Sequence, residues 1–174
     1  MQYPQDLIPN EYEEMALLTE QVISIPKARL VFEPWRGEPL LDTYGGKQVI
    51  DSNGKPVFAE LAILKILQDE GWEGAWIDTY HKKKWIAIEQ RGELPPDKNE
   101  FLEQIYRSAG ARSGCFDVYC WRNEQILFAE AKRKGRDRIR ETQRRWLTVA
   151  LVSGVPVESF LIVEWNLAEA SNRA

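Results

Sequence analysis

Residues 114–146 read GCFDVYCWRNEQILFAEAKRKGRDRIRETQRRW. Two runs of strand-forming residues, CFDVYCW and QILFAEAK, flank a polar centre, which is the pattern of a β-hairpin. With Asn123 and Glu124 at the tip, Arg122 faces Gln125 and, counting back along both strands, Asp117 faces Glu130. Directly opposed residues of an antiparallel pair carry Cβ atoms about 4.5–5.5 Å apart on one face. Period-two alternation brings Lys132 to that face and turns Ala131 away. The tip is not the favoured Asn-Gly, so this register requires that no bulge intervene. Behind the hairpin, residues 138–152 predict a helix and ESFLIVEW (158–165) a last strand.

Two adjacent carboxylates repel unless a positive group holds them. No histidine or thiol accompanies this pair, and hard oxygen ligands suit magnesium or manganese, which also bind phosphate oxygens. Such an ion stabilises charge developing on a phosphodiester and lowers the pKa of a bound water. Lys132, facing the same space, could orient that water or neutralise the reacting oxygens. The alternative is a cross-strand salt bridge on a wet sheet face, since structural ion pairs form similar clusters.

Charge is polarised along the chain. The net charge is −4, yet residues 132–145 hold eight basic residues against two acids, an excess of +6 that leaves −10 on the remainder. A general nucleic-acid coat would be basic overall; a local patch is not excluded. On a helix starting at Arg138, the residues Ile139, Thr142, Trp146 and Val149 share a core-facing stripe. Arg136, Arg140 and Arg144 share another flank at i, i+4 spacing, suited to tracking a phosphate backbone, or else to facing solvent.

The composition, 44% hydrophobic and 29% charged, is that of a globular protein able to bury a sizeable core. Cys115 and Cys120 fall on opposite faces of one predicted strand, so they cannot bridge, and a reducing cytoplasm is the expected setting. The opening MQYPQDLIPNEYEEM has no basic start or apolar stretch of a signal peptide, and no run nears the roughly 20 apolar residues that span a bilayer. A soluble cytoplasmic protein without a membrane partner is expected.

Residues 9–22 (PNEYEEMALLTEQV) predict a helix, with Asn10 as cap and Met15, Leu18 and Val22 on one face. ARLVFEPW (28–35) predicts a short strand ended by Pro34, and PLLDTYGGKQVID (39–51) a hairpin over Gly45-Gly46. Residues 56–72 predict a helix with a broad buried stripe, stopped at Gly71. GAWIDTY (74–80) and KWIAIEQ (84–90) predict strands, and EFLEQIYRSAG (100–110) a helix. His81 with Lys82, Lys83 and Lys84 predicts a solvated turn. Asp78, Glu89 and Arg91 imitate the acid-acid-lysine pattern, but arginine stays protonated and cannot serve as a base. From residue 56 onward the order is helix, strands, inserted helix, two strands, helix, strand, which is an α/β core with a mixed sheet.

Gly114-x-x-Asp117, Glu130-Ala131-Lys132 and Arg140-x-x-Gln143-x-x-Trp146 together resemble the PD-(D/E)xK nuclease superfamily, and within it the VRR-NUC domain of virus-type replication-repair proteins. The resemblance covers residues 114–163, reaches the 56–70 helix more loosely and hardly touches residues 1–50. It implies a restriction-endonuclease-like α/β core with a central mixed β-sheet flanked by helices. It also implies magnesium or manganese held by Asp117, Glu130 and the Ala131 carbonyl, with Lys132 assisting the attacking water. Gln143 matches the family's helix glutamine near the site, and Glu60 the acid of the first core helix. Phe116 stands where the family usually has proline. The activity implied is hydrolysis of DNA phosphodiesters, by a structure-selective endonuclease of replication, repair or recombination. Arg133, Lys134, Arg136, Arg140 and Arg144 would hold DNA, branched or flapped forms included, with a homodimer as a further expectation. A catalytically silent nucleic-acid-binding module on the same fold is the alternative. The domain organisation expected is an elaboration over 1–50 packed on a nuclease domain over 51–166, with an insertion at about 81–112 and a frayed tail over 167–174.

Overall fold

The computed structural model describes residues 1–169; residues 170–174, most of the expected tail, lie outside it. After a 3₁₀ turn at Gln5–Leu7, the chain forms two antiparallel strands, β1 (Glu11–Ala16) and β2 (Val22–Phe32). This corrects the helix expected over 9–22 and lengthens the strand expected at 28–35. Glu11, Glu13 and Met15 share one face of β1, and Met15 is buried against Ile25 of β2. Pairing with β2 overrides the helical propensity of EEMALL, as strand context routinely does. Pro26 precedes the stretch of β2 that pairs with the last strand, which begins at Lys27, so its missing N–H interrupts nothing there.

The hairpin expected over Gly45-Gly46 is also corrected. Tyr44, Gly45 and Gly46 all have positive φ, and Gly46 and Lys47 both donate to the Thr43 carbonyl, which makes a compact turn without flanking strands. The hairpin forms one motif later, between β3 (Ile50–Ser52) and β4 (Lys55–Val57). Asn53-Gly54 is the tip, both residues with positive φ, as a tight two-residue turn requires.

The remaining elements are α1 (Ala59–Asp69), β5 (Glu73–Asp78), β6 (Lys83–Ala87), β7 (Gln90–Arg91), α2 (Pro96–Ala109), β8 (Val118–Arg122), β9 (Gln125–Arg133), α3 (Glu141–Val152) and β10 (Phe160–Leu167). They follow the predicted order. The β8–β9 register runs from Val118↔Ala129 to Arg122↔Gln125 without a bulge, with Asn123 supplying the left-handed tip residue. One mixed eight-stranded sheet results, ordered β1-β2-β10-β9-β8-β5-β6-β7, in which β10 runs parallel to both β9 and β2. Residues 1–50 supply two strands, β1 and β2, at one edge of this sheet. Within the 81–112 insertion, β6 and β7 prolong the opposite edge.

Two apolar layers sandwich the sheet. Leu61, Leu64 and Leu67 of α1 pack on Val118, Cys120, Leu127 and Ala129, while Leu102 and Ile105 of α2 and Trp146 and Leu147 of α3 pack on Tyr119, Phe128 and Phe160. Cys115 and Cys120 are buried free thiols in the two different layers. Trp72 and Trp76 are buried. No helix is long and apolar enough to cross a membrane among the described residues.

Helix α3 begins three residues later than the predicted 138. Residues 134–137 turn back on β9, with Arg136 and Asp137 donating to the Arg133 carbonyl and the Asp137 carboxylate accepting the Arg133 N–H at 2.8 Å. Arg140 has extended backbone (φ −88°, ψ 160°) and caps the helix. Arg136, Arg140 and Arg144 thus do not form a helical row: the first sits in a turn, the second at the cap, and only the third in a helix.

Candidate active site

Asp117 lies one residue before β8, where the hairpin opens, and Glu130 lies near the end of β9. Two backbone bonds fasten them reciprocally. The Asp117 N–H donates to Glu130 Oε2 (3.3 Å), and the Ala131 N–H donates to Asp117 Oδ2 (3.0 Å). The Asp117 carbonyl in turn accepts the Ile77 N–H of β5 at 2.7 Å. The pair is thereby held by three strands rather than by flexible side chains.

Gln143 completes the support from α3. Its Nε2 donates to Glu130 Oε1 (2.5 Å), and its Oε1 accepts the Arg140 N–H (3.0 Å), so one amide both caps the helix and orients the acid. Gly114 makes this approach feasible. Its φ is +90°, and a Cβ there would lie 2.1 Å from the Thr142 carbonyl oxygen, so only glycine lets the β8 entry lie against the start of α3.

From the opposite layer comes Glu60, in the first turn of α1 and 5% exposed. Its Oε1 is ion-paired with the Lys47 ammonium. The Thr43–Lys47 turn is seated by Tyr44, whose ring packs against Phe58, Trp76, Trp85 and His81. His81 is not a freely solvated turn residue as expected: Nδ1 lies 3.3 Å from Asp78 Oδ2 and Nε2 lies 3.4 Å from Asp42 Oδ2. Asp78, Glu89 and Arg91 do not converge, since Asp78 faces His81, Glu89 pairs with Lys55, and Arg91 covers Trp85.

The electrostatics follow from burial. Burial, with Glu130 and Glu60 adding negative charge, raises the Asp117 carboxyl well above the carboxylate range, against the opposing Lys47 charge and Ala131 hydrogen bond. Burial likewise raises Glu130 to about 7, against the Gln143 hydrogen bond and the Lys132 charge. Burial works to lower the Lys47 ammonium, but Glu60, Asp117 and Glu130 together hold it above the ordinary lysine value. A concentrated negative charge that already draws in a lysine is chemically suited to a hard divalent cation. Among the described residues, no three His, Cys, Asp or Glu side chains meet as a ready metal cage.

Lys132 is buried on the Glu130 side of the sheet, and its Nζ reaches Glu13 Oε1 of β1 at 3.3 Å. The contact begins a charge ladder: Glu13 to Lys27 (3.6 Å), Lys27 to Glu164 (2.9 Å), Glu164 to Arg29 (3.3 Å) and Arg29 to Glu11 (2.9 Å). Glu13, Lys27 and Lys47 carry no role in the reading of the sequence. The charge alternation of Glu11-x-Glu13 and Lys27-x-Arg29 would have shown the ladder, had both segments been read as strands. Nothing local marks Lys47.

The basic residues divide. Arg133 places its guanidinium 5.7 Å from the Trp165 ring, on the α1 side of the sheet and away from Lys132. Lys134, Arg136 and Arg140 are exposed and Arg144 half-buried, and none forms an ion pair among the described residues. Clefts lined by Gln2 and Arg122–Gln125, and by Phe101 and Val155, lie toward the hairpin tip, away from Asp117.

Comparison with family models, curated proteins and solved structures finds no match. The resemblance stated above therefore rests on the residues themselves.

Proposed function

We propose that this protein is a magnesium- or manganese-dependent nuclease that hydrolyses DNA phosphodiester bonds on a restriction-endonuclease-like fold. The carrying observation is the Asp117–Glu130 pair, with Glu130 buried and Asp117 half-buried, reciprocally hydrogen-bonded and steadied by Gln143, beside basic side chains that form no ion pair among the described residues. Asp117, Glu130 and the Ala131 carbonyl would hold the ion, which when bound polarises a phosphoryl oxygen and acidifies water. Lys132, on the same sheet face, neutralises charge on the reacting phosphate or orients the water. Gln143 keeps Glu130 aimed, and Glu60 supplies a further carboxylate from α1. Lys134, Arg136, Arg140 and Arg144 bind the sugar-phosphate backbone, which carries position rather than sequence information. A structure-selective role in replication, repair or recombination, in the cytoplasm, and a homodimer belong to the same proposal.

The test is cleavage of linear, flapped and branched DNA in manganese by wild type, Asp117→Asn and Lys132→Ala. Loss of one preorganised charge costs on the order of 10²–10³ in rate, so Lys132→Ala should lose most cleavage while retaining DNA affinity. Equal cleavage by all three proteins would remove these residues from catalysis. The Lys132–Glu13 ion pair, which engages the ammonium, favours a second reading as a silent nucleic-acid-binding module. DNA binding with an inert wild type would establish that reading instead.

A further inference from the structure

We infer that Lys47 is the resident counter-ion of the carboxylate cluster, and that a divalent cation displaces it, freeing Glu60 as a third carboxylate ligand. The inference rests on the proposed reading of Asp117 and Glu130 as a cation site, and deepens it by adding a competitor from outside the motif.

The end of this lysine touches one carboxylate and lies within the field of two more. Glu60 is in direct contact with it, and Asp117 and Glu130 both act on its charge. Lys132 cannot fully serve the same purpose, because its ammonium is also held by Glu13. Lys47 reaches the cluster from a turn with three successive left-handed residues, Tyr44, Gly45 and Gly46, so its backbone is placed rather than free. The Tyr44 ring locks that turn onto Phe58 and Trp76, and the Lys47 ammonium passes 5.7 Å from the Trp76 ring.

A long lysine side chain can withdraw from this position without moving the anchored turn. Glu60, held by Lys47 and lying in the layer opposite Gln143, does not close on the Asp117–Glu130 pair, in keeping with the lack of a ready three-carboxylate cage among the described residues. A divalent ion beside Asp117 would repel the ammonium that pairs with Glu60. Ion binding and the Lys47–Glu60 pair are therefore negatively coupled, and by linkage each weakens the other by the same factor. The N-terminal 50 residues thus contribute a gate on the cation as well as two strands.

The experiment is calorimetric titration of manganese into the full chain. Lys47→Met should bind manganese about 10-fold more tightly than wild type, within the usual range of such couplings. Lys47→Arg, which keeps the charge, should bind as wild type does. Adding Glu60→Gln to Lys47→Met should erase the gain, since the freed ligand is gone. If Lys47→Met does not melt cooperatively, Lys47→Gln carries the same prediction with a hydrogen-bonding group left against Glu60. Equal affinities for wild type and both neutral variants, with binding abolished in Asp117→Asn, would overturn the gate while leaving the cation site intact. Binding that is absent from all variants, or unaffected by Asp117→Asn, would overturn the cation site and the gate with it.

Discussion

Asp117 and Glu130 exchange backbone hydrogen bonds: the Ala131 N–H donates to Asp117, and the Asp117 N–H donates to Glu130. Each acid is therefore aimed by the strand that carries the other. Two carboxyl groups are kept together by backbone hydrogen bonds, and a cation can offset the repulsion that arises when both ionise.

The first expected outcome is stabilisation by metal. Manganese or magnesium at about 100 times its dissociation constant should add about 2.7 kcal/mol to the folded state. Asp117→Asn should lose that gain. Melting with and without the ion checks it, and an identical shift in wild type and variant would place the ion elsewhere.

Stability against pH follows from the raised carboxyls. The folded state holds protons on Asp117 and Glu130 where the unfolded chain, with ordinary carboxylates near pH 4, has released them. More protons bound in the folded state means stability falls as pH rises. For Glu130 the loss runs from about pH 4 to its raised value of about 7. Glu130→Gln should flatten that part of the curve relative to wild type, measured by denaturant unfolding in chelator. A wild-type stability that instead rises through this window, with Glu130→Gln parallel to it, would mean that Glu130 is not protonated there.

Gln143 joins the helix cap to Glu130, so its removal should be felt twice. Gln143→Ala leaves a buried carboxylate short of a donor and should cost about 1–3 kcal/mol. Gln143→Glu should keep the cap acceptor but set another negative charge against Glu130. Its metal-free melting temperature should fall below that of wild type, and manganese should recover more of the difference than it does for Gln143→Ala. Equal recovery in the two variants would separate Gln143 from the cation site.

The arginines predict a salt dependence. If Arg136, Arg140 and Arg144 each neutralise a phosphate, each change to Ala should reduce the logarithmic salt slope of DNA binding by roughly 0.7–0.9. Arg133→Ala should leave the slope unchanged, because that side chain covers Trp165 on the other side of the sheet. The measurement is binding in calcium at several salt concentrations. Equal slopes for wild type and the triple variant would leave these residues facing solvent only.

Some of this structure was local enough to be legible. Period-two alternation on both sides of Asn123 set the β8–β9 register, and with it the nearness of Asp117 to Glu130, because a tight turn leaves few other pairings. The broad apolar stripe of α1 and the strand-helix-strand order after residue 125 were equally readable, since each element's pattern reports its own burial. The start of α3 was misplaced because the arginines after Gly135 suit a helix, whereas the Asp137–Arg133 hydrogen bond draws that segment into a turn.

Other features were decided only when distant segments met. Residues 11–16 favour a helix in isolation, and become a strand because β2 offers an edge and buries Met15. The Lys132–Glu13 contact follows from that choice, since the β1 register brings Glu13 onto the face shared with Lys132. Lys47 reaches Glu60 because Tyr44 seats its turn among aromatic rings drawn from β4, β5 and β6 and their flanks. The sequence by itself determined which acids oppose one another across a hairpin, a matter of counting along a short chain. The tertiary structure decided which cations attend them, because long-range packing has no periodicity along the chain to betray it.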